Sequence, residues 1–161
     1  MADADELCAA TANADVIRWG LVLNRRGAER ALAAGLTHLQ YVVSVSDTHS
    51  RHNAGAGTDD AIAAFEAIAG PMIDQGAIME MTLSTAFGCP YEQHIDPARV
   101  VDVARRVVGA GASSIGLADT IGVAIPTEVE ALVGAVRDVV DVVGFKLVGS
   151  TCMGCDGCGW C

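Results

Sequence analysis

From Arg18 onward, short apolar runs of strand length alternate with amphipathic stretches of helical period. No other feature constrains the fold as strongly. Parallel strands buried on both faces read as continuous apolar runs, and each needs a crossover connection, usually a helix, before the next can begin. The pattern predicts strands over Trp19–Leu23, Leu39–Val45, Ile78–Ser84, Ser114–Ala118 and Val142–Leu147.

The intervening helices carry local signals of their own. Over Asp96–Gly109, Asp96 is a capping residue, Pro97 suits the first helical position, and Val100, Val103, Ala104 and Val107 repeat as i, i+3, i+4, i+7 before Gly109 and Gly111. A helix after Thr58 starts on acidic Asp59 and Asp60, with an apolar face of Ala61, Ala64, Phe65 and Ile68. One after Pro126 has Glu128 and Glu130 early and Val129, Leu132, Val133 and Val136 inward, and a shorter one spans Arg25–Ala34 and ends at Gly35. About five parallel strands with intervening helices imply an α/β fold, either part of a TIM (β/α)8 barrel or an open flavodoxin-like sheet. A complete barrel takes typically ~250 residues, with ~200 as a lower limit. The chain has 161, so it is expected to hold a partial barrel.

Composition agrees. Hydrophobic residues make up 52% and aromatics 4%, the usage of small-residue helices packed on a valine-rich sheet. The formal net charge of −10 repels nucleic acid and anionic membrane surfaces, so neither is an expected partner. Residues 1–17 lack a basic n-region, and no window approaches the ~20 apolar residues of a membrane span. A cytoplasmic protein is the expectation.

In parallel βα folds the chemistry sits at the carboxyl ends of the strands. Asp119 directly follows the run Ile115–Ala118 and would emerge at the mouth of the sheet, where it either orients a ligand or metal-bound water or caps the turn leading to Gly122. His49 and His52 lie three apart in the polar stretch Ser46–Asn53, read as a surface loop, and that spacing suits metal ligation only if the stretch is helical. Cys89, in Gly88-Cys89-Pro90-Tyr91, has no neighbouring base in sequence to activate a thiolate, so a structural or substrate-shaping role is expected. His38 and His94 read as ordinary element flanks.

Four stretches at the strand ends carry a family resemblance: Leu23-Asn24-Arg25-Arg26-Gly27-Ala28-Glu29-Arg30-Ala31, Val43-Ser44-Val45-Ser46-Asp47-Thr48-His49-Ser50-Arg51-His52-Asn53, Ser84-Thr85-Ala86-Phe87-Gly88-Cys89-Pro90-Tyr91-Glu92, and Gly116-Leu117-Ala118-Asp119-Thr120-Ile121-Gly122-Val123. Together they resemble the hydroxymethylglutaryl-CoA lyase family of metal-dependent TIM-barrel lyases and aldol synthases. The resemblance implies retro-aldol cleavage of 3-hydroxy-3-methylglutaryl-CoA to acetyl-CoA and acetoacetate, with Mg²⁺ or Mn²⁺ as Lewis acid on the hydroxyl and carboxylate oxygens. It implies a catalytic role for Asp119 and substrate contacts for Asn53, Ser84 and Thr120.

The departures are equally specific. The family's Arg-Asp-Gly motif is missing before Trp19, and in place of its His-x-His-Asp-Thr run the chain reads Phe145-Lys146-Leu147-Val148-Gly149-Ser150. Lys146 and Val148 stand at the two histidine positions, so no metal ligand is assigned and the chain alone is expected not to bind the ion or turn over. Unpaired barrel edges would favour homo-oligomerisation or aggregation. The expected division is an N-terminal segment 1–17, a partial barrel 18–148 and a Cys/Gly-rich tail 149–161.

That tail places Cys152, Cys155, Cys158 and Cys161 at every third residue. The spacing suits an iron–sulfur or zinc site, which leaves a small metal-cluster protein, or a non-catalytic remnant, as alternative functions. The tail begins where the lyase resemblance stops, as a reading-frame change would produce, and we read it that way. Metal analysis of the purified chain is therefore expected to find neither iron nor zinc in stoichiometric amount, and a brown protein with one cluster per chain would reverse the reading.

Overall fold

The computed structural model describes residues 3–140 and the backbone of 145–149. Its elements are α1 (Ala4–Ala10), β1 (Trp19–Leu21), α2 (Arg25–Ala33), β2 (His38–Ser44), α3 (Asp47–Ala54), α4 (Thr58–Ile73), β3 (Ile78–Ser84), α5 (Pro97–Gly109), β4 (Ser114–Asp119), α6 (Pro126–Arg137) and β5 (Phe145–Gly149). All strand pairs are parallel, and the sheet order is the chain order, β1-β2-β3-β4-β5. A flavodoxin-like sheet would reverse direction at a switch point. Here each strand lies beside its predecessor, the order of a (β/α)8 barrel, and the chain forms a partial barrel.

The two faces of the sheet differ. On one, Leu39, Tyr41 and Val43 of β2, Met79, Met81 and Leu83 of β3, and Ile115 and Leu117 of β4 are buried in a single core with Phe65, Ile68 and Met72 of α4 and Val100, Val103 and Val107 of α5. Tyr41 and Phe65 meet at 5.4 Å between ring centroids. On the other face the alternate residues are polar or small, apart from Val42 and Ile78. The Gln40 amide donates to Thr82 Oγ1 at 2.6 Å and to Glu80 Oε1 at 3.3 Å, while the Ser114 hydroxyl donates to Glu80 Oε2 at 3.3 Å. Glu80, 4% exposed, is thus tied to both neighbouring strands. That network is why a carboxylate is tolerated inside the apolar run of β3.

Several helices form as their signals predict. In α5, Asp96 Oδ1 accepts from the Ala98 amide at 2.9 Å, Pro97 opens the helix, and Val100, Val103, Ala104 and Val107 are its buried residues. Asn24 caps α2 by accepting from the Gly27 amide at 2.9 Å, and Gly35, at φ +79°, turns the chain out of it in a conformation other side chains resist.

Two expectations need correction. The stretch after β2 is the helix α3, not a loop: Ser46 caps it, Asp47 sits in its first turn, Arg51 and His52 in its last, and Gly55 ends it at φ +72°. In α4 the buried face is Ile62, Phe65, Ile68, Ala69 and Met72, while Ala64 is exposed. Alanine adds little burial energy, so the larger side chains set the helix rotation. β5 is described over Phe145–Gly149, and the expected strand start at Val142 lies outside the described residues.

β1 stands at the edge of the described sheet, with Trp19 39% and Leu21 57% exposed. Truncating the centre of the core should be far more damaging than changing this edge. Phe65→Ala is expected to cost about 3–5 kcal/mol in urea denaturation, and a loss below 1 kcal/mol would show that α4 does not pack as described.

Candidate active site

The carboxyl ends of β2, β3 and β4 are stitched together by short hydrogen bonds among small polar residues. Thr85, immediately after β3, is fully buried and has φ +57°, a conformation a β-branched residue rarely adopts. Its amide donates to Thr120 Oγ1 after β4 at 2.7 Å, its Oγ1 accepts from the Ser46 amide after β2 at 3.1 Å, and its hydroxyl donates to the Ser84 carbonyl at 2.6 Å. One residue thereby ties three strand ends, and those contacts hold its strained backbone in place.

Ser46 is the second knot. Its Oγ accepts from the His49 amide at 3.0 Å as the cap of α3, accepts from the Cys89 thiol at 3.0 Å, and donates to Glu92 Oε1 at 2.7 Å. The same Glu92 oxygen takes the Thr48 amide at 3.0 Å, and Oε2 pairs with Arg99 of α5 at 3.2 Å. Burial alone would raise the pKa of Glu92, but the Ser46 hydroxyl, the Thr48 amide and the Arg99 guanidinium outweigh it and hold the carboxyl below its ordinary value. Cys89 is 1% exposed and inside this knot, which gives it a packing role.

At the mouth itself, Ser44 Oγ lies 2.8 Å from His49 Nδ1 and 2.9 Å from Ser84 Oγ. Ser44 is 6% exposed, while His49 and Ser84 are half-buried. Burial, helped by the charge of nearby His52, lowers the pKa of His49. His52 stacks on Tyr91 at 4.5 Å with the rings 15° from parallel. The two histidines that a helical stretch could have offered to a metal are therefore engaged elsewhere, one with a serine and one with a tyrosine.

Of the residues singled out in the sequence, Ser84 and Thr120 come together across the β3 and β4 ends through Thr85. Asp119 holds its loop: Oδ1 accepts from the Gly122 and Val123 amides at 3.0 and 3.1 Å, and Oδ2 from the Ala124 amide at 2.9 Å. That loop packs against the one after β3 so closely that a Cβ on Gly88 would meet Val123 Cγ2 at 2.6 Å. Asn53 is exposed on the last turn of α3. Ser44, Ser46, Thr85 and Glu92 were not singled out in the sequence. The one visible hint was a Ser-x-Ser-Asp pattern at a strand end, which also announces the helix cap.

A divalent cation does not fit the described residues. Among them no three His, Cys, Asp or Glu side chains come together as a metal site. The Asp119 oxygens are committed to backbone amides. Lys146 and Val148 stand in register with Gly116 and Ala118. No helix among the described residues is long and apolar enough to cross a membrane.

Comparison with known proteins then places the chain. A family model described as HMGL-like matches residues 1–148. The (R)-citramalyl-CoA lyase of Chloroflexus aurantiacus is 39% identical over 133 residues, 82% of this chain and 42% of that protein. The crystal structure of the HMG-CoA lyase from Brucella melitensis superposes with a TM-score of 0.85 at 29% identity, over 92% of this chain and 52% of that one. That of an HMG-CoA lyase from Acinetobacter baumannii, in complex with coenzyme A and 3-methylmalate, gives 0.83 at 31% identity over 90% and 48%. The chain thus spans about half the length of the relatives it matches.

Glu92 offers a direct test of the strand-end knot. A carboxyl whose pKa is lowered by folding contributes stability that is full above its unfolded value and is lost as pH falls through the folded one. Glu92→Gln is expected to cost about 1–3 kcal/mol at pH 7, with the difference from the parent closing as pH falls below the ordinary value of 4.5. A difference that stays constant down to about pH 3 would remove Glu92 from the knot.

Proposed function

The chain belongs to the HMGL-like family, and from that premise we propose that it is the substrate-positioning part of a carbon–carbon lyase acting on a branched 3-hydroxyacyl-CoA. The reaction proposed is retro-aldol cleavage of 3-hydroxy-3-methylglutaryl-CoA to acetyl-CoA and acetoacetate. The observation that carries the reading is the gathering of three resemblance motifs, those around Ser44, Ser84 and Asp119, at one end of a parallel sheet, where this fold class places its chemistry. The similarity to a citramalyl-CoA lyase favours a second substrate of the same kind, and both belong in the assay.

Within that reading the residues divide the work. Ser84 and Thr120 present hydroxyls at adjoining strand ends and would bind oxygens of the acyl group. Asp119 fixes the loop Thr120–Ala124 through its backbone amides, and so shapes one wall of the mouth. Asn53, exposed on α3, would reach the more distant part of the thioester. The described residues do not assemble the cation site the resemblance implies, so this half alone is not expected to complete the reaction.

The test is acetyl-CoA release from both thioesters, with Mg²⁺ or Mn²⁺ present, by the chain alone and after mixing with the part of the Brucella lyase it does not match. No release by the chain and release by the mixture is the expected result. Failure of the mixture on both thioesters would refute the proposed reaction, and metal-stimulated release by the chain alone would refute the division of the site.

A further inference from the structure

We propose that Ser84, Ser44 and His49 form a proton relay that opens on the mouth of the sheet, with Ser84 as the group that meets the substrate and His49 as the proton store. The proposal rests on the lyase reading for its substrate, but its geometry stands independently. Ser44 and Ser84 are register partners in the β2–β3 ladder, so both side chains leave the same face of the sheet at the same height. His49 comes from the first turns of α3, and the Ser46 cap sets where that helix starts. Three polar groups from two strands and a helix are thus in line, at 2.8 and 2.9 Å, with the middle one buried and both ends half-exposed. A buried hydroxyl linking two accessible groups is the arrangement that passes a proton without admitting water.

A neutral His49 uses the Nδ1 lone pair to accept from the Ser44 hydroxyl, which leaves Ser44 Oγ to accept from Ser84. When Ser44 donates the other way, the Ser84 proton has the Val43 carbonyl, 3.5 Å away, as its acceptor. Burial and, after it, the charge of His52 on the same helix lower the pKa of His49, and Tyr91 faces it from the loop after β3 at 6.3 Å between ring centroids.

In the cleavage step the proton of the substrate's tertiary hydroxyl passes to Ser84 Oγ as the Ser84 proton passes to Ser44 and the Ser44 proton to His49 Nδ1. The alkoxide electron pair becomes the carbonyl of the ketone product, and the bond to the thioester α-carbon breaks, leaving its electrons in the enolate. The imidazolium then returns its proton along the same chain to the α-carbon, which restores His49, Ser44 and Ser84. Ser84 is the catalytic residue here, while Ser44 and His49 act through it.

The tautomer of His49, read by long-range ¹H–¹⁵N NMR of the full chain at pH 7.5, tests the relay without requiring turnover. The expected signature is a single tautomer with the proton on Nε2 and an accepting Nδ1, mixed tautomers in Ser44→Ala, and a smaller displacement in Ser84→Ala although Ser84 does not touch the ring. His52 is the internal control and should not move. A parent His49 protonated on Nδ1, or nitrogens indifferent to both substitutions, would overturn the proposal even if the lyase assay succeeds. In any preparation that releases acetyl-CoA, Ser84→Ala and His49→Gln should each lower kcat at least tenfold, with KM nearly unchanged for His49→Gln, and unchanged kcat in either variant would also overturn the relay. A lyase assay that fails while the tautomers behave as described refutes the substrate reading and leaves the relay geometry standing.

Discussion

The parallel ladder between β2 and β3 is the interaction on which the rest of the molecule depends. Its seven register pairs, from His38↔Ile78 to Ser44↔Ser84, do two things at once. They place Leu39, Tyr41, Val43, Met79, Met81 and Leu83 on the helix-covered face, where the core of α4 and α5 closes over them. They also end with two serines side by side at the carboxyl edge. Because side chains alternate along a strand, a slip of one residue would carry these serines under the helices and turn the leucines and methionines outward. Burial on one face therefore enforces the alignment of the hydroxyls on the other.

From that ladder the strand ends build outward. Thr85 adopts its left-handed backbone because its amide, its side-chain oxygen and its hydroxyl each have a partner on a different segment. Ser46 caps α3 and at the same time joins Cys89 and Glu92. The result is a hydrogen-bonded frame that leaves half-buried polar groups at its rim. The relatives are lyases about twice as long as the matched region, and the described residues supply hydroxyls, an imidazole and a loop-fixing carboxylate rather than a cation cage. The relay proposed for this half barrel draws on those hydroxyls and that imidazole.

Much of the fold was legible because its signals are local. The boundaries of β3 and the buried face of α5 follow from an apolar run interrupted only by Glu80 and Thr82 and from a cap, a proline and a four-residue valine and alanine repeat. α3 was misread for a physical reason: its single buried residue is Ser50, so it has no apolar stripe to betray a helical period, and only its end signals, Ser46 and Gly55, mark it. On α4, Phe65 and Ile68 face the core as their period indicates and only Ala64 turns out, because a methyl group is too small to set the rotation of the helix. In the site, the position of Asp119 at a strand end could be read from sequence, but the three amides its oxygens accept could not. Ser44, Thr85 and Glu92 each depend on a partner about 35–46 residues away, which the register brings together.

Amide hydrogen exchange on the full chain measures the central claim most directly, since it reports the opening free energy of each ladder bond. The slowest amides are expected in β2, β3 and β4, between Leu39 and Ser44, Met79 and Ser84, and Ile115 and Leu117, with those of the edge strand β1 exchanging much faster. Protection that is uniformly weak, or strongest outside the β2–β3 ladder, would contradict the claim that this register organises both the core and the mouth.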